Sequence, residues 1–104
     1  MSKILIVDDD KEIASLIGDA LCDEGFEIIL AYDGESALEY IKKFKDLSMV
    51  ILDIMMPKMD GIEVCKKVRD MVNCPILFVS AKSRTLDTIV ALEMGGDDFI
   101  TKPL

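Results

Sequence analysis

Three consecutive carboxylates, Asp8, Asp9 and Asp10, follow directly after the apolar run ILIV. Adjacent acids repel one another, and a simple turn does not require three of them. A further acid, Asp53, ends a second apolar run, VIL. Carboxylate oxygens are the ligands that hard divalent cations such as Mg²⁺ prefer in proteins. These acids indicate a metal site if the fold brings them together.

An ordinary structural role explains Asp8 and Asp9 equally well when they are taken alone. Aspartates that follow a strand commonly form turns or cap helices. Asp10 fits that role best, as the N-cap of a helix that begins at Lys11. The choice between capping and metal binding for the first two acids therefore depends on the residues around them.

A hydroxyl and a lysine follow two other apolar runs, Ser80 after LFV and Lys102 after FIT. A divalent cation beside a carboxylate and a lysine suits phosphoryl transfer, because positive groups stabilise the transferred phosphoryl. The chain has no histidine and no cysteine near these positions, so a carboxylate is the candidate nucleophile. Asp53 is the first choice, which leaves Asp8 and Asp9 for the metal. Lys102 would neutralise phosphoryl oxygens, and Ser80 would donate a hydrogen bond.

Short β-type segments alternate with segments of helical periodicity along the chain. Strands are predicted at residues 4–7, 27–31, 49–52, 75–79 and 98–101, since these runs are apolar without alternation. Apolar stripes predict four helices, on Ile13, Leu16, Ile17, Ala20 and Leu21; on Ala37, Leu38, Ile41 and Phe44; on Ile62, Cys65 and Val68; and on Leu86, Ile89, Val90 and Leu92. The alternation predicts one α/β domain with a parallel sheet and helices on both faces.

The carboxyl ends of parallel strands share one edge of the sheet, and ligands bind there where the strand order reverses. Several strand orders are compatible with the alternation. The order 2-1-3-4-5 makes strands 1 and 3 neighbours, so it would bring Asp8, Asp9 and Asp53 together. Right-handed crossovers would then put helix 1 on one face and helices 2, 3 and 4 on the other.

Composition excludes several classes of function. With 20 acidic and 12 basic residues, the net charge is −8, which argues against direct nucleic-acid binding because Lys and Arg must neutralise the phosphates. The three cysteines lack a CxxC spacing, so zinc is not expected. No apolar stretch approaches the roughly 20 residues of a membrane span, and the first run is too short for a signal peptide. We expect a cytoplasmic protein.

Four segments, in this order and spacing, resemble the receiver domain of bacterial two-component response regulators: ILIVDDD, VILDIMMPKMDG, LFVSA and DDFITKP. The resemblance covers essentially the whole chain and implies a flavodoxin-like fold with a five-stranded sheet. The segments MMPKMDG and GGDDFITKP are most similar to receivers attached to winged-helix DNA-binding domains. The implied partner is a sensor histidine kinase that donates the phosphoryl group, and the implied output is transcription.

The resemblance also implies roles for the acids. Asp53 would be the phosphoacceptor, and Asp8 and Asp9 would form the acidic pocket. Asp9, Asp53 and the backbone carbonyl of Met55 would hold Mg²⁺.

The remaining site residues correspond to the switch of the family. Ser80 would be the switch hydroxyl, Phe99 the switch aromatic and Lys102 the phosphate-sensing lysine, with Lys102–Pro103 a candidate cis peptide. A phosphoryl group adds roughly −1.5 to −2 charge and would draw Ser80 inward, so that Phe99 can turn into the vacated space. Periodicity alone favours an ordinary core role for Phe99.

The chain ends at Leu104, where receivers of this kind continue into a fifth helix. We expect residues 1–104 to be a receiver domain truncated before that helix, with apolar side chains of strands 3, 4 and 5 exposed on the helix 1 side. A second copy could supply the missing cover, as a homodimer. DNA binding would then belong to an output domain.

Two other functions stay open. A DxD pattern begins at Asp8, as in haloacid-dehalogenase-like Mg²⁺ phosphatases, where Asp8 would be the nucleophile. Glu12, two residues beyond this pattern, departs from the small residue that these phosphatases have at that position. The chain is also too short for a substrate cap. The other alternative is a phosphate-independent interaction module, against which the complete set of acids, hydroxyl and lysine argues. We favour a switch that catalyses only its own phosphorylation and slow dephosphorylation over an enzyme with turnover.

Overall fold

The computed structural model describes residues 2–80 and 98–101, with residue 80 and the last four as strand backbone. The elements in chain order are β1 (Lys3–Val7), α1 (Lys11–Asp23), β2 (Glu27–Ala31), α2 (Gly34–Lys43), β3 (Leu47–Asp53), α3 (Gly61–Val68), β4 (Ile76–Ser80) and β5 (Asp98–Thr101). The fourth predicted helix, between β4 and β5, lies outside the described residues. The strands and helices alternate as the apolar pattern predicts.

All neighbouring strands are parallel, in the order β2-β1-β3-β4-β5. Val7 of β1 pairs with Leu52 of β3, and Asp53 of β3 pairs with Val79 of β4. The carboxyl ends of β1, β3 and β4 therefore finish at the same edge. The predicted parallel α/β fold is confirmed.

Both faces of the sheet are covered, which explains the continuous apolar strands. One cluster packs α1 against Ile6, Ile51 and Val79. The opposite cluster packs α2 and α3 against the alternate strand residues, among them Leu52 and Phe78. Among the described helices, the right-handed crossovers thus place α1 on one face and α2 and α3 together on the other.

Element boundaries differ from the prediction at several places. Strand β3 extends over Leu47–Asp53, and β4 begins at Ile76 because Pro75 has no N–H to donate to the sheet. The carbonyl of Pro75 still accepts a hydrogen bond from the N–H of Val50, at 3.0 Å. Phe44, predicted on the second helical stripe, follows the end of α2 with extended backbone.

An aspartate caps the N-terminus of each described helix. Asp10 accepts hydrogen bonds from two backbone N–H groups of α1, while Asp33 and Asp60 each accept one from the third residue beyond them. The bond from the N–H of Ser36 is the main cause that lowers the pKa of Asp33. At the other end of α1, Gly25 takes a left-handed φ of 96°, which suits glycine.

An open apolar groove of about 370 Å³ lies between α1 and the strands β3 and β4. The groove is lined by Leu16, Ile17, Ala20, Leu21, Ile51, Leu77 and Val79. We expected exposed strand side chains here: Leu77 is only partly buried, whereas Ile51 and Val79 are buried in the cluster against which Ile17 and Leu21 pack. The large apolar side chain that is exposed at the groove is Leu16, at 57%. No helix among the described residues is long and apolar enough to cross a membrane.

Candidate functional site

The carboxylates of Asp8, Asp9 and Asp53 converge at the carboxyl edge of the sheet. Each offers one oxygen, and these three oxygens lie within 4.8 Å of one another. The convergence follows from the register of β1 and β3. Val7 pairs with Leu52, and each of these two residues is followed directly by an acid, Asp8 or Asp53. Acids that are far apart in the sequence thus form one cluster.

Burial distinguishes the three acids. Asp8 is 1% exposed and Asp53 is 3% exposed, whereas Asp9 is exposed. Two buried carboxylates beside a third are unfavourable unless positive charge or hydrogen-bond donors compensate them. An all-carboxylate donor set fits a hard cation such as Mg²⁺, which keeps several waters, and the exposed Asp9 leaves the cluster open to solvent on one side.

Two hydrogen bonds hold Asp8 in place. Its backbone N–H donates to the carbonyl of Ala31 at 3.0 Å, and its Oδ1 accepts from the backbone N–H of Asp10 at 2.9 Å. Asp10 in turn caps α1 through Glu12 and Ile13. The third acid of the run therefore has the capping role that the sequence predicted.

The segment between β3 and α3 begins directly after Asp53. The N–H of Ile54 donates to the carbonyl of Val79 at 3.3 Å, which ties the start of this segment to β4. Met55, whose carbonyl the resemblance assigns to Mg²⁺, is the next residue, and its side chain is half exposed, at 51%. Farther along, Lys58 has a left-handed φ of 67°, which costs energy in any residue with a β-carbon.

The predicted switch residues are located by backbone alone. Ser80 is the last residue of β4, one position beyond the residue that pairs with Asp53, so it lies at the same edge as the acids. Phe99 lies in β5 and pairs with Phe78. Lys102 and Pro103 lie outside the described residues, and their predicted roles, including the cis peptide, stay predictions.

Sequence reasoning missed the contact between the start of α3 and the end of β3. Gly61 is buried, and a β-carbon at this position would overlap the carbonyl oxygen of Asp53. The same β-carbon would lie 2.8 Å from the carbonyl carbon of Asp53 and 2.9 Å from the Cα of Ile54. The only signal in the sequence was the dipeptide Asp60–Gly61, which the capping role of Asp60 already explained.

Comparisons with known proteins give matches over nearly the whole chain. A family model described as "Response regulator receiver domain" matches residues 4–104. The uncharacterized transcriptional regulatory protein YrkP of Bacillus subtilis is 48% identical over 101 residues, which cover 97% of this chain and 43% of YrkP. The transcriptional regulatory protein CpxR of Escherichia coli is 44% identical over 103 residues, which cover 99% of this chain and 44% of CpxR. The chain therefore spans less than half the length of these curated relatives.

Solved structures are similar over almost the whole chain. A two-component response regulator from Clostridium difficile superposes with a TM-score of 0.96 at 36% identity, covering 100% of this chain and 85% of that one. The CheX–CheY–BeF3–Mg²⁺ complex from Borrelia burgdorferi gives a TM-score of 0.91 at 35% identity, covering 99% of this chain and 79% of that one. Both matches support the flavodoxin-like fold described above.

Proposed function

Because this chain belongs to the family of response regulator receiver domains, we propose that it is a phosphorylation switch whose phosphoacceptor is Asp53. The observation that carries the proposal is the cluster of Asp8, Asp9 and Asp53, with two of the three acids buried. Such a cluster at the carboxyl edge of a parallel sheet is a place for ligand chemistry.

Asp9, Asp53 and the carbonyl of Met55 would hold Mg²⁺, with Asp8 completing the acidic pocket. The cation supplies positive charge beside the phosphoryl oxygens when it is bound. Asp8 is suited to a supporting role because its Oδ1 already accepts the N–H of Asp10. The similarity to the Borrelia complex, which contains BeF3 and Mg²⁺, supports this assignment.

Phosphorylation would begin with attack by a carboxylate oxygen of Asp53 on the phosphorus of the donor. A new P–O bond forms, and the bond between phosphorus and the donor breaks, with its electron pair leaving on the donor. The product is an aspartyl-phosphate. Water can later attack the phosphorus, which releases inorganic phosphate and restores the carboxylate. This cycle modifies the protein itself, so the chain is a switch rather than an enzyme with turnover.

The switch would run through β4 and β5. The proposed phosphoryl group adds charge beside Ser80, at the end of β4, and the hydroxyl would move toward it. Phe99, on the neighbouring strand, would turn into the space that the hydroxyl leaves, and Lys102 would pair with the phosphoryl oxygens. The two conformations would differ at the surface formed by β5 and the predicted fourth helix before it, which is how a population shift becomes a signal.

The proposed phosphoryl donor is a sensor histidine kinase, since this chain has no histidine of its own. The proposed output is transcription through a winged-helix DNA-binding domain, in line with the relatives named as transcriptional regulatory proteins. In that arrangement residues 1–104 are the receiver domain, and DNA contacts belong to the output domain. The cytoplasm is the proposed location, because a kinase and DNA are both reached from there.

Intact-mass spectrometry after incubation with acetyl phosphate tests the proposal. Wild type should gain one phosphoryl group only when Mg²⁺ is present, and Asp53→Asn should gain none. Asp33→Asn is a matched control, because Asp33 caps α2 and lies outside the cluster of acids, and it should be modified like wild type.

Other outcomes would favour the other functions. An adduct that persists in Asp53→Asn and disappears in Asp8→Asn would support the phosphatase-like chemistry. A folded wild type with no adduct, and no response to Mg²⁺, would leave the phosphate-independent interaction module.

A further inference from the structure

We propose that Gly61 is a positioning residue, whose missing side chain lets the start of α3 press against the main chain of Asp53 and so fixes the phosphoacceptor relative to the metal ligands. This inference rests on the proposed function, because it concerns the same cluster of acids. It assigns to the first residue of α3 a role in the chemistry that capping and helix propensity do not explain.

The contact is between backbone atoms. A β-carbon at position 61 would overlap the carbonyl oxygen of Asp53 and would approach the Cα of Ile54 to 2.9 Å. The N–H of Gly61 also donates to the carbonyl of Ile54, at 3.0 Å. The start of α3 is therefore packed against Asp53, the last residue of β3, and hydrogen-bonded to Ile54, the residue that follows it.

Any side chain at position 61 must displace either the start of α3 or the main chain of Asp53 and Ile54. Rotation of a side chain cannot relieve the overlap, because the atoms met first belong to the peptide group of Asp53. Asp60 holds the helix start in place through its bond to the N–H of Glu63, at 2.8 Å. We therefore expect the end of β3 to move, and the Asp53 carboxylate with it.

A small displacement is enough to matter at this site. The oxygens of Asp8, Asp9 and Asp53 lie within 4.8 Å of one another, and Mg²⁺ requires ligands at nearly ideal octahedral positions. Catalytic geometry must be held within about 0.5 Å. A shift of the Asp53 backbone by a few tenths of an ångström should weaken Mg²⁺ binding before it unfolds the domain.

The chain offers a matched control in Gly34. Gly34 also occupies the first position of a helix after an aspartate cap, and a β-carbon there would also be crowded. Its close neighbours, however, are the side-chain atoms of Met59, at 2.9 to 3.0 Å, rather than the backbone of a site residue. Gly34→Ala should therefore destabilise the domain without pressing on the main chain of Asp53.

The test measures Mg²⁺ affinity by isothermal titration calorimetry on unphosphorylated protein, with thermal unfolding measured on the same samples. Gly61→Ala should weaken Mg²⁺ binding at least about tenfold and raise in parallel the Mg²⁺ concentration needed for half-maximal modification by acetyl phosphate. Gly34→Ala should lower the melting temperature and keep Mg²⁺ affinity within about twofold of wild type.

Asp60→Ala keeps the inference testable if Gly61→Ala does not fold. This variant retains glycine at position 61 and removes the bond that holds the helix start, so a smaller loss of Mg²⁺ affinity is expected. Unchanged Mg²⁺ affinity in a folded Gly61→Ala, or in Asp60→Ala when only that variant folds, would overturn the inference. A wild type that binds no Mg²⁺ would instead contradict the proposed function.

Discussion

The Oδ1 of Asp8 accepts a hydrogen bond from the backbone N–H of Asp10 at 2.9 Å, and the side chain of Asp10 caps α1. One short turn thus orients a buried acid and starts a helix. Asp9, between them, is exposed and completes the cluster with Asp53. The three consecutive aspartates therefore occupy three different environments, since Asp8 is buried, Asp9 is exposed in the cluster and Asp10 caps α1. This difference explains why the run of acids is tolerated.

Replacing Asp10 tests its capping role separately from the site. Asp10→Ala should lower the free energy of unfolding by about 1 kcal/mol, because two N–H groups of α1 lose their acceptor. Asp10→Asn should lower the free energy of unfolding much less, since its amide oxygen can still accept hydrogen bonds from these N–H groups. Urea unfolding measures both. Equal losses in the two variants would show that the charge, and not the cap, is what stabilises the helix.

Protonation of Asp33 should weaken α2 at low pH. The N–H of Ser36 lowers the pKa of this carboxyl below its ordinary value of 3.8, so the folded state has the lower pKa. The resulting stabilisation is complete above the unfolded pKa and is lost as the pH falls through the folded pKa.

Urea unfolding of wild type and Asp33→Asn from pH 7 to pH 3 checks this pH dependence. The difference in stability between the two proteins should shrink toward the acid end. A difference that is constant with pH would contradict the assignment.

Mg²⁺ should stabilise the folded domain, because the acid cluster exists only when β1 and β3 are paired. At a concentration 100 times the dissociation constant, the expected gain is about 2.7 kcal/mol. Thermal unfolding with Mg²⁺ and with EDTA measures it. Asp9→Asn should abolish most of the gain, whereas Asp19→Asn, an exposed acid on α1, should retain it. An equal response of both variants would indicate non-specific screening.

Relief of the left-handed backbone at Lys58 should stabilise the protein. Lys58→Gly removes the steric conflict at φ 67°, which is worth roughly 1–2 kcal/mol, but glycine also makes the unfolded chain more flexible. A net gain of about 0.5 kcal/mol in urea unfolding is expected. Lys45→Gly is the control, since residue 45 has no positive φ, and it should destabilise. Loss of stability in Lys58→Gly would mean that the lysine side chain contributes more than the strain costs.

A homodimer of this chain, if it forms, should use the apolar groove beside α1. Leu16 lies on the groove rim and is exposed, so Leu16→Lys should shift sedimentation toward the monomer. Met71→Lys, at an exposed methionine outside that groove, should not. A wild type that sediments as a monomer at high concentration would exclude self-association through this surface.

Much of the fold could be predicted from the sequence because the strands are buried on both faces and are therefore continuously apolar. The acids could be predicted to converge because they end strands, and parallel strands end at one edge. The cap at Asp10 was also readable, since this acid directly precedes the first helical run.

What could not be predicted depends on contacts between distant segments. Phe44 continues the apolar stripe of α2, yet its ring packs beside Tyr40 and under the ammonium groups of Lys3 and Lys43 after the helix has ended. Lys58 gives no sign of a left-handed backbone, as glycine or asparagine would. The contact of Gly61 with Asp53 appears only once α3 is folded back on the sheet.

The position of β1 between β2 and β3 has a consequence for synthesis of the chain. β1 pairs with β2 on one edge and with β3 on the other, but β3 leaves the ribosome last of the three. Until it does, a nascent β1–α1–β2 unit presents an apolar strand with one edge open, the kind of edge on which chains aggregate. The strand that closes this edge of β1 ends in Asp53, so pairing of β3 covers β1 and completes the acid cluster in the same step.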